Sequence, residues 1–392
     1  MVKLGLECFL AQPERYCAPG PVALIMNQAS HDSRFVPAID LCARSLDVAF
    51  IWSPEHGVYG FHQDMEAVQS SRHPYLGLPV VSLYGDKENT LTPGRRMAAK
   101  VSTVIYDIQD IGCRYYTFVW TLLKVMRACR GLETDILVLD RPNPIMPLPV
   151  NGPPLHPRYE SFVGGADIPV IYQLTAGELA LYLNHSLKLG YNSGGQRLTV
   201  VPMEGYDRNM FFHQTGLPWS APSPNMPCLE SALVYPGGCL VEGTNLSEGR
   251  GTTRPFLLYG APYIEPHLLA AELNDLNHAG LACKPTYFRP MFGKHHGCVC
   301  GGVEVAVSNP QQVNAMGFIL DMIRLVARRY TQFRWRSETY EFRDNQPAFD
   351  LLTGGADVRE ALRCDRPARD IMAGWHEYLR AYCDTIQGWR IY

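Results

Sequence analysis

The chain is read as an α/β protein: a Rossmann-like, mostly parallel sheet domain followed by a second, smaller α+β domain. Three observations predict this. Short apolar runs alternate with helix-like segments through the first 140 residues, the pattern of parallel strands joined by crossover helices. Each run ends in polar residues, so parallel strands would gather those residues at one rim of the sheet. At 392 residues the chain also exceeds the size at which one core usually suffices, about 250–300 residues, which predicts two domains.

The runs are Val22–Met26, Val48–Trp52, Val80–Leu83, Val104–Tyr106 and Ile136–Leu139. They lack the in–out alternation of a half-exposed strand, as expected for strands covered on both faces. Helices are expected over Ala38–Ser45, Gly94–Lys100 and Phe118–Cys129. After a proline-rich link (Pro142 to Pro157), Thr175–Leu187 reads as a helix, with Thr175 as cap and Glu178 at capping-box spacing. Leu198–Val201 is one more strand. Trp219–Pro255 loses all periodicity and reads as a long ordered loop. Beyond it, Pro266–Ala279, Gln311–Arg329, Ala348–Cys364 and Ala368–Gln387 look helical, and Gly302–Ser308 alternates like a strand. These signals divide the chain into a catalytic domain over 1–225 and an auxiliary domain over 226–392, with 226–255 closing over the active site.

Composition narrows the function. The 46% hydrophobic and 19% charged content is that of a globular protein, and a net charge of −3 without basic blocks argues against nucleic acid as a partner. No apolar run is long enough for membrane insertion. The amino terminus lacks the apolar core of a signal peptide, so the expectation is a cytoplasmic protein, or a periplasmic or secreted one if a signal has been removed. Twelve dispersed cysteines read as reduced and buried. No glycine-rich dinucleotide or triphosphate loop follows a strand, so no cofactor is expected.

Three stretches carry chemistry. Ser53-Pro54-Glu55-His56-Gly57 follows a strand, and its proline and glycine turn Glu55 and His56 onto the carboxyl edge, where open α/β sheets bind ligands. A carboxylate beside an imidazole there suits acid/base work; a helix cap with a solvated histidine is the plainer alternative. Tyr106 to Thr117 packs Asp107, Asp110, Arg114, Tyr115 and Tyr116 between a strand and a helix. The aspartates could bind hydroxyls, cap the helix or pair with Arg114, and the tyrosines could stack on a sugar or fill a core. Glu242 to Pro255 combines glycines with Asn245, Ser247, Glu248, Arg250 and Arg254, a donor and acceptor set suited to a polyhydroxylated ligand, or to an internally ion-paired loop. His295-His296-Gly297-Cys298-Val299-Cys300 does not have zinc spacing, and no metal is expected.

These segments, with Met26-Asn27-Gln28, Ser82-Leu83-Tyr84-Gly85, Leu139-Asp140-Arg141-Pro142-Asn143-Pro144, Ser223-Pro224-Asn225-Met226-Pro227 and Tyr235-Pro236-Gly237, resemble the exo-β-N-acetylmuramidases of the NamZ type along nearly the whole chain. The resemblance implies removal of terminal N-acetylmuramic acid from peptidoglycan fragments, without an organic cofactor. It implies Glu55 as the acid/base. With Glu55 in that role, His56 or Tyr116 would orient it, and Asp110 or Glu248 would activate water unless the substrate's acetamido group attacks. The lactyl carboxylate would seek Arg250, Arg254 or Arg114. Asn27, Asn225 and Asn245 would bind hydroxyls or the acetamido group, and Tyr84, Asp107 and Tyr115 would line the sugar site. Val58-Tyr59-Gly60 departs from the Phe-Arg-Gly expected there, and Cys113 from alanine. A muropeptide sensor that binds without cleaving is the alternative; metal-dependent action on a phosphate ester or nucleotide is a remoter one.

Overall fold

A computed structural model describes residues 1–392. Helix α1 (Gly5–Ala11) precedes strand β1 (Val22–Met26), which is followed by α2 (Ala38–Ser45), β2 (Val48–Ser53), a two-residue β3 (Ser71–Arg72) and β4 (Pro79–Ser82). Then come α3 (Arg95–Ala98), β5 (Thr103–Asp107), α4 (Phe118–Cys129), β6 (Asp135–Leu139), α5 (Ala176–Ser186) and β7 (Leu198–Val201). The strands lie in the order β3-β4-β2-β1-β5-β6-β7, parallel throughout except for β3 at the edge. The order therefore reverses at β1, which pairs in parallel with both β2 and β5. Such a switch point opens a crevice beyond the strands' carboxyl ends.

Apolar residues continue without alternation because both faces of this sheet are covered. Leu24, Met26, Ile105 and Leu137 face a 17-residue cluster with α1 and α2. Ala23, Ile25, Trp52, Val104 and Val138 face the other way, into an 89-residue cluster that also contains Phe256, Val303, Phe318 and Leu351. One apolar core thus runs from the parallel sheet into the carboxyl-terminal half and fixes the two against each other. Helix α5 begins as its residues predict: the Thr175 hydroxyl accepts from Glu178 N, and the Glu178 carboxylate accepts from Thr175 N.

The stretch expected to be an irregular loop contains a helix, α6 (Leu229–Gly238). Its residues from Ser231 onward are buried whichever way they point, so no amphipathic period marks it. Gly237 lets it cross closely over the start of the later helix at Ala315–Arg329, where a Cβ would lie 2.1 Å from the Ala315 carbonyl oxygen. The second half then forms β8 (Leu258–Ala261), α7 (Pro266–Asp275), β9 (Leu281–Phe288), β10 (Cys300–Val307) and α8 (Ala315–Arg329). Strands β8, β10 and β9 make an antiparallel sheet in that order. Strand β9 is hidden from sequence reading by Pro285, tolerated because β9 is an edge. Each of the two long helices expected at the end is broken. Gly354, at φ 80°, separates α9 (Ala348–Thr353) from α10 (Asp357–Arg363), and a turn at Gly374–Trp375 separates α11 (Ala368–Ala373) from α12 (His376–Ile386). No helix is long and apolar enough to cross a membrane.

Candidate active site

After β2, the chain turns through His56 and Gly57, at φ 67° and 84°. A non-glycine residue held in this region is uncommon, and such strain collects at functional sites. The turn sends the Glu55 side chain inward, where only 4% of the residue remains exposed. The Thr117 hydroxyl, at the start of α4, donates to Glu55 Oε2 at 2.5 Å. His56 does not orient Glu55: its Nδ1 lies 2.9 Å from the His62 carbonyl oxygen, and its ring stands edge-on to Phe118.

Glu55 lines a narrow inner cavity of about 40 Å³, walled by rings that include Tyr115, Tyr116, Phe118, Tyr235 and Phe256. A second carboxyl enters it from Glu341, in the irregular stretch before α9. Burial first, then the charge of Glu55, push the Glu341 carboxyl well above the usual carboxylate range. Tyr84 donates its hydroxyl to Glu341 Oε2 at 3.1 Å. The Tyr116 hydroxyl is buried without a partner, and Ser223 lines the same cavity.

An outer cleft of about 1370 Å³, partly open solvent, adjoins the inner cavity through shared walls at Asp64, Glu242 and Arg250. Arg250 contacts Asp64 at 3.3 Å, Glu242 at 2.6 Å and Glu248 at 3.4 Å. Burial alone would lower its pKa, but these three carboxylates hold it firmly charged. Glu248 also receives Lys294 at 2.8 Å, and Glu242 receives the Tyr340 hydroxyl. Asn245 lines the outer cleft, although its side chain is already bonded to the backbone of Gln332 and Arg334 and to the Tyr263 hydroxyl.

Other expected site residues serve the scaffold. Arg114 is fully buried and donates to the carbonyls of Pro153, Ile168 and Leu352, so it faces no ligand. Arg254 is on the surface, 3.2 Å from Glu304 of β10, and lines neither cavity. Asp107 forms a buried pair with Arg141, which leaves its carboxylate nothing to offer a sugar. Asn27 is spent on the Pro222 carbonyl and Ala29 N. Asp110 lies behind the cavity, accepting from Gly112 N and the Tyr172 hydroxyl. Burial raises it to about 6 against those bonds, and its Oδ1 has no partner. Tyr115 lines the cavity by its ring while its hydroxyl holds the Pro236 carbonyl. Asn225 donates to Gln63 Oε1 at 2.9 Å, bracing the loop that carries Asp64. His295 contacts the Asn245 carbonyl oxygen.

Four residues here escaped sequence reasoning: Glu341, Glu242, Asp64 and Lys294. Glu242 opens the glycine-bearing stretch Glu242 to Pro255 and Lys294 directly precedes the His295 to Cys300 stretch, but the value of each depends on partners distant in sequence. Glu341 and Asp64 lie in irregular segments with no period or motif around them.

The arrangement suits general acid chemistry on a bond reaching into a narrow, ring-lined pocket. Two descriptions of one family match the chain: Exo-beta-N-acetylmuramidase NamZ, N-terminal, over residues 22–230, and its C-terminal counterpart over 233–392. The peptidoglycan beta-N-acetylmuramidase NamZ of Bacillus subtilis (strain 168) is 35% identical over 393 residues, covering 100% of this chain and 91% of that protein. Crystal structures of two DUF1343 family proteins from Bacteroides fragilis NCTC 9343 are similar along the whole chain. One has a TM-score of 0.88 at 30% identity, the other 0.75 at 27%, each with 99% of that chain covered.

Proposed function

The chain belongs to the NamZ family of β-N-acetylmuramidases, and we propose that it is a glycosidase releasing terminal N-acetylmuramic acid from the non-reducing ends of peptidoglycan fragments. One observation carries the exo-acting part: Glu55 lines a narrow inner cavity that adjoins the much larger outer cleft at Asp64, Glu242 and Arg250, so a glycan lying in the cleft reaches Glu55 by its end. A chain passing through would need a cleft open at both ends.

In this reading the terminal sugar enters between the rings of Tyr116, Tyr235 and Phe256, widening the narrow inner cavity, and the remaining glycan lies in the outer cleft. Glu55 protonates the glycosidic oxygen as the bond to C1 breaks, and the Thr117 hydroxyl holds the carboxyl in place. The buried Tyr116 hydroxyl is free to bond the sugar. Arg250 is the arginine that takes the lactyl carboxylate. Of its three counter-ions, Asp64 is the most exposed and stands on a loop, so the substrate displaces Asp64 and keeps Glu242 and Glu248 in place.

Digestion of muramyl oligosaccharides of defined length tests this. Free N-acetylmuramic acid with a product shorter by one sugar is the expected outcome. Internal cleavage would refute the exo-acting reading, and tight binding without release would favour a sensor.

A further inference from the structure

Glu341 has no role in the mechanism above, yet its carboxyl shares the inner cavity with Glu55. The Tyr84 hydroxyl is bonded to Glu341 Oε2 and also lies within reach of the Glu55 carboxyl. No cation answers either group. Arg250, the arginine lining the cavity, is already shared among Asp64, Glu242 and Glu248. Two carboxyls enclosed together without a cation do not both ionise readily, and the charge of Glu55 joins burial in raising the Glu341 carboxyl. The backbone fits a built device: Glu341 and Phe342 sit at φ 46° and 66°, as His56 does beside the other carboxyl.

We propose that Glu341 is a positioning residue which shares a single proton with Glu55 beside the Tyr84 hydroxyl, keeping within the pair the proton that cleavage needs. This rests on Glu55 acting as the acid in the proposed function. In that step the Glu55 O–H bond breaks, its electrons stay on the carboxylate, and the proton goes to the leaving oxygen as the C1–O bond opens. The aglycone departs as an alcohol. The water that adds to C1 releases a proton, which returns the pair to its starting state.

The groups facing Glu341 are Glu55, Tyr84, Glu242, Asp64 and its neighbour Tyr340, with His56 and Arg250 on the same walls. Glu242 and Asp64 have Arg250 as counter-ion, which leaves Glu55 as the carboxylate that bears most directly on Glu341.

The test is the pH dependence of kcat/KM for wild type, Glu341→Gln, Glu341→Asp and Tyr84→Phe. An ionised neighbour favours the protonated acid, so Glu341→Gln is expected to bring the basic limb down by about one pH unit or more, while Glu341→Asp largely restores it. A basic limb unmoved in Glu341→Gln would overturn the proposal. A second measurement needs no turnover: carbon-13 NMR of labelled glutamate carboxyls in the free protein. Two separated steps for the pair in wild type, merging to one in Glu341→Gln, are expected; independent titration of Glu55 and Glu341 would overturn it. Absence of hydrolysis by the wild type would refute the functional reading, while the NMR result would still decide this one.

Discussion

Asp107 ends β5 and Glu55 follows β2, two carboxylates at one rim of the same sheet and both almost wholly buried. Their surroundings differ. Asp107 has the guanidinium of Arg141 against both oxygens, with Arg141 Nη2 at 2.9 Å from Oδ2. Glu55 has hydroxyls and a second carboxyl instead of a cation. A buried carboxylate with a fixed counter-charge is locked as an anion and serves the architecture. One whose partners are hydroxyls and another acid can hold and release a proton. Burial alone does not separate structure from chemistry at this rim; the charge of the partner does.

The contrast can be broken most sharply at its structural end. Asp107→Asn leaves Arg141 buried without its counter-ion and is expected to cost about 3–5 kcal/mol of stability, read by urea unfolding. A loss below about 1 kcal/mol would mean the pair is not the lock described. Glu55→Gln should do the reverse, cutting turnover of a muramic acid glycoside by about 10²-fold or more while the melting temperature stays close to wild type. A smaller shift is expected of Asp64→Asn. It removes the counter-ion that the lactyl group must displace, so KM should fall several-fold, by about 1 kcal/mol of binding, for muramic acid glycosides and not for glucosamine ones. Equal effects on both would remove Arg250 from lactyl binding.

Behind the cavity, Asp110 supplies the smallest effect, a test by pH. Its folded pKa of about 6 lies above its ordinary value, so the folded state holds a proton that the unfolded state has lost. Stability from this group is therefore present below about pH 4 and is lost as pH rises towards 6. Asp110→Asn should flatten that part of the unfolding free energy against pH. An unchanged slope would place the titration elsewhere.

Much of this was legible in the sequence, for a physical reason. Strands covered on both faces must be continuously apolar, so β1 to β7 stand out, apart from the two-residue β3, and Pro54 with Gly57 marks the turn that delivers Glu55. What failed to show was whatever depends on contacts between distant segments. Helix α6 is buried all round and has no period. Arg114 looks like a ligand for an anion, yet it closes three carbonyls contributed by two distant parts of the chain. Asp107 looks like a sugar ligand until Arg141 is seen opposite it. Glu341 is an ordinary residue in an irregular stretch, and only folding brings it beside Tyr84 and Glu55.

The central claim is that Glu55 supplies the proton for the leaving oxygen. Its most direct test compares Glu55→Gln with wild type on two muramic acid glycosides, one with a sugar as leaving group and one with an acidic nitrophenol that departs without protonation. A loss of about 10²-fold or more on the sugar, with most of the rate kept on the nitrophenol, is the expected result. Equal losses on both would contradict it.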